Sequence, residues 1–467
     1  CNMFECTLQI NSGKHGRVAN IAMHPALHGK EIRFLADVPH IAKNLFGHLL
    51  NGQQIILHPD DVKHYNLKGC IISLEPIKRL ACFQDGSIFK LAPNVRKEVV
   101  DPNHFDKMKV SNAMSIFSHT TAVALRMMVE QHGWPEHYLV TAWFIDQVNR
   151  WFDLMCSRHP VMALSLHNPT RHEEAVTFLK DFMDMFGRLK IGNGHFKPCQ
   201  AGVALSTTSI LELQKHLLED RKFEFVLTSR FTQDSLENFF STVRLRNPIP
   251  TPLEFKMSLK IISVSQYLKV STTGSYEVDD GAFFLADFET TRQSVVPVED
   301  SEMDNFSFGR PNLTQTEDRA FFYYSGYIVS RVVKNNATCE HCRKWLTSES
   351  GTASQVSDFT ANKCYAPGAL VYPSDTVHNV LLTCESCFSK SIGACMDHDN
   401  ILSKLQQLMS DAVIEVDFPV CHDIKKKLIW RFCHARLQLH LSELTRKSNT
   451  KARDMGSKSM CAPRRQK

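Results

Sequence analysis

Leu227-Thr-Ser-Arg-Phe-Thr-Gln-Asp-Ser-Leu-Glu-Asn-Phe-Phe-Ser-Thr-Val-Arg-Leu-Arg246 is the stretch on which the fold turns. Its apolar residues Leu236, Phe239, Phe240 and Val243 recur at i, i+3, i+4 and i+7, the spacing of a helix with one buried face. Asp234, Glu237, Ser241 and Arg244 fall on the other side, so two carboxylates stand one turn apart. Metal-dependent phosphoryl transfer needs acidic oxygens on rigid elements, close enough to share hard divalent cations. The same pattern also fits a solvated acidic face on an amphipathic helix, and spacing alone does not separate the two.

A second segment, Lys30-Glu-Ile-Arg-Phe-Leu-Ala-Asp-Val-Pro-His-Ile-Ala-Lys-Asn-Leu45, reads as a short apolar strand running directly into a helix with Pro39 near its first turn. Asp37 then sits at the strand's C-terminal end, where it can either hold a metal or cap the helix that follows. His40 and Lys43 can approach phosphate or the carboxylate, or can simply pack.

Gln233-Asp-Ser-Leu-Glu-Asn-Phe-Phe-Ser-Thr-Val-Arg244 resembles the signature helix of P element transposases and their THAP-domain homologues. In that family this glutamate is the last member of a DDE metal triad. Asp37-Val-Pro-His-Ile-Ala-Lys-Asn44 is similar to the segment that carries the second carboxylate. The resemblance covers residues 30–445. It implies an α/β fold: a partial ribonuclease H-like core interrupted by an all-helical insertion domain, plus a Cys-rich, mainly helical C-terminal domain. It implies Mg2+ held by Asp37 and Glu237, with Asp234 as a reserve ligand, for cleavage and strand transfer of DNA. The family's first aspartate lies on an opening strand, yet Glu5 and Glu31 are the only acidic residues before Asp37. Because the sequence begins with Cys1 and shows neither that strand nor the THAP finger, it reads as a fragment that does not catalyse alone. The other reading is a domesticated, non-catalytic nuclear factor that binds DNA or protein.

Divided on this basis, residues 1–60 are the first part of the core and 61–200 the helical insertion, with long helices expected over 110–131, 137–158 and 173–189. Residues 201–270 return to the core, bracing the Glu237 helix with one over 252–267. An acidic, polar linker follows over 271–315, then the Cys-rich, DNA-contacting region over 316–445. Residues 446–467 form a basic tail, read as disordered. It holds eight Lys/Arg against one Asp, more than the whole chain's net charge of +5, and suits nuclear import or non-specific phosphate contact. Arg244, Arg246, Arg464 and Arg465 are the candidate nucleic-acid contacts. DNA and the nucleus are the partner and location the resemblance implies, with a homo-oligomer left open. No apolar run approaches the ~20 residues of a membrane span.

In the family the helical insertion binds GTP. No Gly-x-x-x-x-Gly-Lys-Ser/Thr loop occurs in this chain, so the residues alone assign no nucleotide. The resemblance points to Lys109 and Val110 at phosphate and to Phe152 and Asp153 at guanine. An aromatic face stacks the base, and a carboxylate accepts from its edge. The sequence departs from the family at Pro93-Asn94-Val95, commonly Pro-Lys-Leu, and at Cys156, commonly Asn.

Nine of the fifteen cysteines lie beyond residue 330, which suits a reducing compartment and metal ligation better than a disulfide scaffold. Cys339-Glu-His-Cys342 and Cys384-Glu-Ser-Cys387 are two CxxC pairs, well separated in the chain, whose four thiolates together satisfy a structural zinc. His341, Cys364, His378, Cys395, His398, Cys421-His422 and Cys433-His434 compete as ligands. Scattered thiols in a reduced protein remain the alternative.

Overall fold

The structure is a computed structural model that describes residues 10–13, 17–103, 107, 109–246, 249–268, 310–335, 339–348, 356–365, 368–396 and 399–460. Most of the linker expected over 271–315 lies outside them, as do His398, Arg464, Arg465 and the side chain of Arg246. The chain divides into two compact units, Cys1–Asp85 with Asn94–Ser301 and Gly86–Pro93 with Glu302–Lys467.

The first unit is mainly helical. Strands β1 (Ile21–Met23) and β2 (Glu31–Arg33) pair antiparallel, with Ala22 opposite Ile32. Helix α1 (Val38–Leu50) follows, capped by Asp37 and started by Pro39. A second small sheet has the order β4-β3-β5, with β3 (Ile55–Ile56) between β4 (Ile71–Ile72) and β5 (Lys190–Ile191), all antiparallel. The region expected to be all-helical therefore contributes two short strands. Its helices are α2 (Pro59–His64), α3 (Glu75–Phe83), α4 (Lys97–Val100), α5 (Val110–Ile116), α6 (His119–His132), α7 (Tyr138–Met155) and α8 (Pro169–Arg188). The single helix expected over 110–131 is two. Ser118 is extended, and its hydroxyl accepts from Thr121 N at 3.3 Å. That bond caps a new helix start. Gly133, at φ +61°, ends α6 in the left-handed conformation. The turn lets α7 fold back along α6.

Helix α9 (Pro198–Lys215) lies across α1 and α8. A Cβ on Gly202 would sit 2.8 Å from Ile41 Cδ1. Only glycine permits this approach. The same face carries two buried hydroxyls that hold the segment leading to Asp37. Ser206 Oγ accepts from Ala36 N and donates to Ala36 O, each at 2.7 Å, and Ser209 Oγ donates to Phe34 O at 2.6 Å. Backbone groups that a longer sheet would satisfy are met here by side chains of a helix. Trp151 of α7 stacks on Phe182 of α8 and donates to Thr207 of α9 at 3.1 Å, closing the core.

Helices α10 (Asp234–Arg246) and α11 (Pro252–Leu268) complete this unit. Phe239 and Phe240 meet Phe255 across them, at centroid distances of 5.9 and 6.0 Å.

The second unit is built from α12 (Gln315–Asn335), α13 (Glu340–Leu346), α14 (Asp358–Lys363), α15 (Asp375–Cys395), α16 (Ile401–Ala412) and α17 (Ile424–Met460). Where a disordered tail is expected from residue 446, the backbone continues as helix through Met460. No helix among the described residues is long and apolar enough to cross a membrane.

Candidate functional site

Asp37 and Gln233 are joined although they lie far apart in the chain: Asp37 Oδ1 accepts from Gln233 N at 2.9 Å. Its other oxygen caps α1, accepting from His40 N at 3.1 Å, and meets His40 Nδ1 at 2.5 Å. Across the imidazole, His40 Nε2 stands 3.8 Å from Glu237 Oε1. One ring thus bridges the carboxylates of Asp37 and Glu237, which stand on a segment pinned by α9 and on the first turn of α10. Asp37 is both the cap and a member of the cluster, so the two readings of it are compatible.

Asp234, at the start of α10, takes a charged hydrogen bond from Arg158 at 2.6 Å. Cys156, at the end of α7, lies near Asp234 and Asp37. Burial pushes its thiol well up, and the negative charges of Asp234 and Asp37 push it further. The electropositive first turn of α10 favours the carboxylates gathered on it.

The orientation of α10 differs from the expected one. Leu236 is 52% exposed and Phe240 37%, whereas Glu237 turns toward His40 and Asp234 toward Arg158. Val243 alone of the apolar stripe is fully buried. The period locates the helix, but partners on α1 and beyond the end of α7 decide which side faces inward. Arg244 is exposed, its guanidinium 5.9 Å from the Phe240 ring.

Residues proposed from resemblance for guanine nucleotide stand on two elements. Lys109, exposed, is the N-cap of α5, with half-buried Val110 as its first residue. Phe152 and Asp153 are half-buried on α7. Asp153 accepts from Asn149 at 2.8 Å and faces His119, and Lys109 is not among its partners. Burial, partly offset by Asn149 and His119, pushes its carboxyl up to about 6. An unfolded Asp titrates near about 3.9, so between these values the folded chain keeps a proton the unfolded chain has lost. Stability contributed by this group is present below about pH 4 and is lost as pH rises through about 6. Asp153→Asn should therefore stabilise the first unit by about 2 kcal/mol at pH 8 and hardly at all at pH 4. Urea unfolding at both pH values measures this, and an equal effect at both would refute it.

The four thiols of the two CxxC pairs do not converge. Cys339 and Cys342 gather with Cys421 and His422, their ligand atoms all within 4.8 Å of one another. Cys384 and Cys387 lie inside α15, fully buried, where burial pushes their thiols up and Cys433 and Cys395 are the neighbouring sulfurs. The reason is local. Cys339 is the N-cap of a short helix, so its thiol and that of Cys342, one turn on, leave the helix start where another segment can meet them, whereas a CxxC in the middle of a 21-residue helix points its thiols into whatever that helix packs against.

Two family models match the chain: the TNP-like GTP-binding insertion domain over residues 57–169, and the C-terminal domain of the DNA transposase THAP9 over residues 312–430. The Transposable element P transposase of Drosophila melanogaster is 26% identical over 251 residues, 51% of this chain and 31% of that protein. The chain thus aligns with about a third of its relative's length. The solved Drosophila P element transposase strand transfer complex is similar at 23% identity and a TM-score of 0.46, covering 56% of this chain and 57% of that one. Over these stretches the chain is similar to P element and THAP9-type transposases and matches the models of two of their domains.

Proposed function

We propose that this chain is part of a P element-like DNA transposase whose reaction is metal-dependent DNA cleavage and strand transfer. One observation carries the reading: Asp37 and Glu237, remote in sequence, converge on a single imidazole, and the GTP-binding-type insertion match falls between them in the chain. On this reading β1, β2, α1, α9 and α10 are pieces of a ribonuclease H-like core, and the Cys-rich second unit contacts DNA in the nucleus. Asp37 and Glu237 are the metal-holding catalytic carboxylates. Asp37 keeps acceptor sites beyond those used by Gln233 N and His40, since an ionised carboxylate offers about four. Asp234, paired to Arg158, stands in reserve. Mg2+, the hard cation these oxygens suit, would activate a water or 3′-hydroxyl and stabilise the leaving oxygen. His40 positions both carboxylates. GTP would meet Lys109 and Val110 with its phosphates and Phe152 and Asp153 with its base, and Zn2+ is a structural ion of the second unit.

Among the described residues, Asp37 and Glu237 belong to no group of three or more candidate ligands whose atoms lie within 4.8 Å of one another. The chain by itself is accordingly proposed to bind divalent cations weakly and not to cut DNA, the case in which it serves as a non-catalytic DNA- or protein-binding factor. Mn2+ titration followed by electron paramagnetic resonance tests the pair. Affinity should fall about tenfold or more in Asp37→Ala and in Glu237→Ala, and rise in His40→Ala. Mn2+ affinity indifferent to both carboxylates would sink the assignment. Cleavage of transposon-end DNA that Glu237→Ala abolishes would instead show that a further acidic residue completes the site.

A further inference from the structure

The second unit gathers ligands at a place neither CxxC pair defines alone. Cys339 caps α13 and Cys342 lies one turn on, so both thiols leave the same side of the helix start. Cys421 and His422 form the 3-10 turn Val420–His422, and Asp423, left-handed at φ +52°, then directs the chain into α17. Cys421 Sγ lies 3.1 Å from Cys342 Sγ and 3.7 Å from Cys339 Sγ, and His422 Nδ1 lies 3.5 Å from Cys342 Sγ.

These distances discriminate between kinds of site. A disulfide needs sulfurs about 2.05 Å apart, and no pair approaches that. A tetrahedral ion with Zn–S about 2.3 Å and Zn–N about 2.0–2.1 Å sets its sulfurs about 3.8 Å apart and sulfur and nitrogen about 3.5 Å apart. Two of the three separations match, and the third, Cys421 to Cys342, must open by about 0.7 Å to fit, a movement the two side chains can share. Three thiols and an imidazole select a borderline-soft ion over Mg2+ or Ca2+, which take oxygen. Cys342 is buried while Cys421 and His422 are exposed, so the site is closed on the protein side and open to a chelator.

We infer that Cys339, Cys342, Cys421 and His422 hold one structural zinc that staples the turn before α17 to the start of α13. The inference rests on the reading of zinc as the second unit's structural ion and replaces the ligand set that two CxxC pairs suggest. The ion closes a long loop of chain between Cys342 and Cys421, a large restriction of the unfolded state. It also fixes the approach of Trp345, on α13, to Phe418 on the segment before the turn, with ring centroids 5.0 Å apart.

The test uses the full chain purified under reducing conditions without added metal. Elemental analysis should find one zinc per chain, and Co2+ exchanged into the site should show thiolate charge-transfer absorption. Cys421→Ser should lose the metal, whereas His422→Cys, a four-thiolate set, should keep it with an altered Co2+ spectrum. Cys384→Ala should retain full zinc. Phenanthroline should lower the melting temperature of the wild type by several degrees. A chain that binds no zinc overturns the structural ion altogether. Zinc that survives Cys421→Ser, or that leaves with Cys384→Ala while Cys421→Ser keeps it, overturns this ligand set and leaves the ion standing.

Discussion

Arg436→Met should destabilise the second unit by about 3–5 kcal/mol at neutral pH, the range for removing one partner of a buried ion pair. Arg436 on α17 donates to both oxygens of Glu385 on α15, at 2.8 and 3.1 Å, with both side chains almost completely buried. Ser389 adds a third hydrogen bond to the carboxylate at 2.9 Å, and the guanidinium lies over the Phe388 ring at 4.4 Å. Burial already pushes the Glu385 carboxyl up, against the pull of Arg436. With the guanidinium gone, the carboxylate must stay charged in an apolar site or take up a proton. The mutant's folded-state carboxyl titrates above its unfolded value, so its deficit grows as pH rises through the Glu range. It shrinks below about pH 4, where both states are protonated. Replacing both partners, in Glu385→Leu with Arg436→Met, should recover most of the loss, since well-packed apolar substitutes for buried pairs are often neutral or better. Urea unfolding of the four proteins forms the cycle. Single and double variants equally destabilised would mean that Arg436 acts by packing on Phe388 alone.

Local signals in the sequence carry far, and tertiary choices do not. The helices over Asp234–Arg246 and Pro252–Leu268 are legible from apolar spacing, and the Asp37 cap from the Asp and Pro that open α1. What spacing does not carry is the direction each face takes. Helix α10 has two faces able to be buried, and the ionic partners His40 and Arg158 come from residues far away in sequence. The outcome leaves Leu236 and Phe240 substantially exposed while Asp234 and Glu237 turn toward Arg158 and His40.

The cysteines show the same limit. CxxC at 339–342 and at 384–387 are equal as strings. Ser374 caps a helix that runs through the second pair without a break, and Val377, Leu381 and Phe388 bury one side of it, so those sulfurs belong to a core. The Cys421-His422 dipeptide, placed in a turn after Pro419, was the signal available for the missing ligands.

Deleting residues 446–467 should change DNA binding more than any single substitution. The deleted stretch carries eight Lys/Arg. Neutralising a phosphate contributes about 0.9 to the slope of log affinity against log salt on duplex DNA. Full engagement would therefore lower that slope by about 7, and a tail only half engaged by about 3–4. The helix continues through Met460, and five of these cations fall before its end. From residue 446 that stretch spans about 21 Å, at about 1.5 Å per residue. A duplex offers a phosphate for about every 1.7 Å of axis, so a stretch of that length lies opposite about twelve of them. Arg244 and Arg246 stand on α10, the helix that carries Glu237. Each should lower the slope by about 1 when changed to Ala. Such contacts bind any sequence, because phosphates carry no base information. Transposon-end and unrelated duplexes of equal length should thus bind this chain within a few-fold of each other at one salt concentration. Fluorescence anisotropy from about 50 to 200 mM salt, on the full chain and the chain ending at 445, gives both slopes. A slope unchanged by the deletion would remove the tail from the interface. Strong preference for transposon ends would show that residues within 10–445 read bases directly.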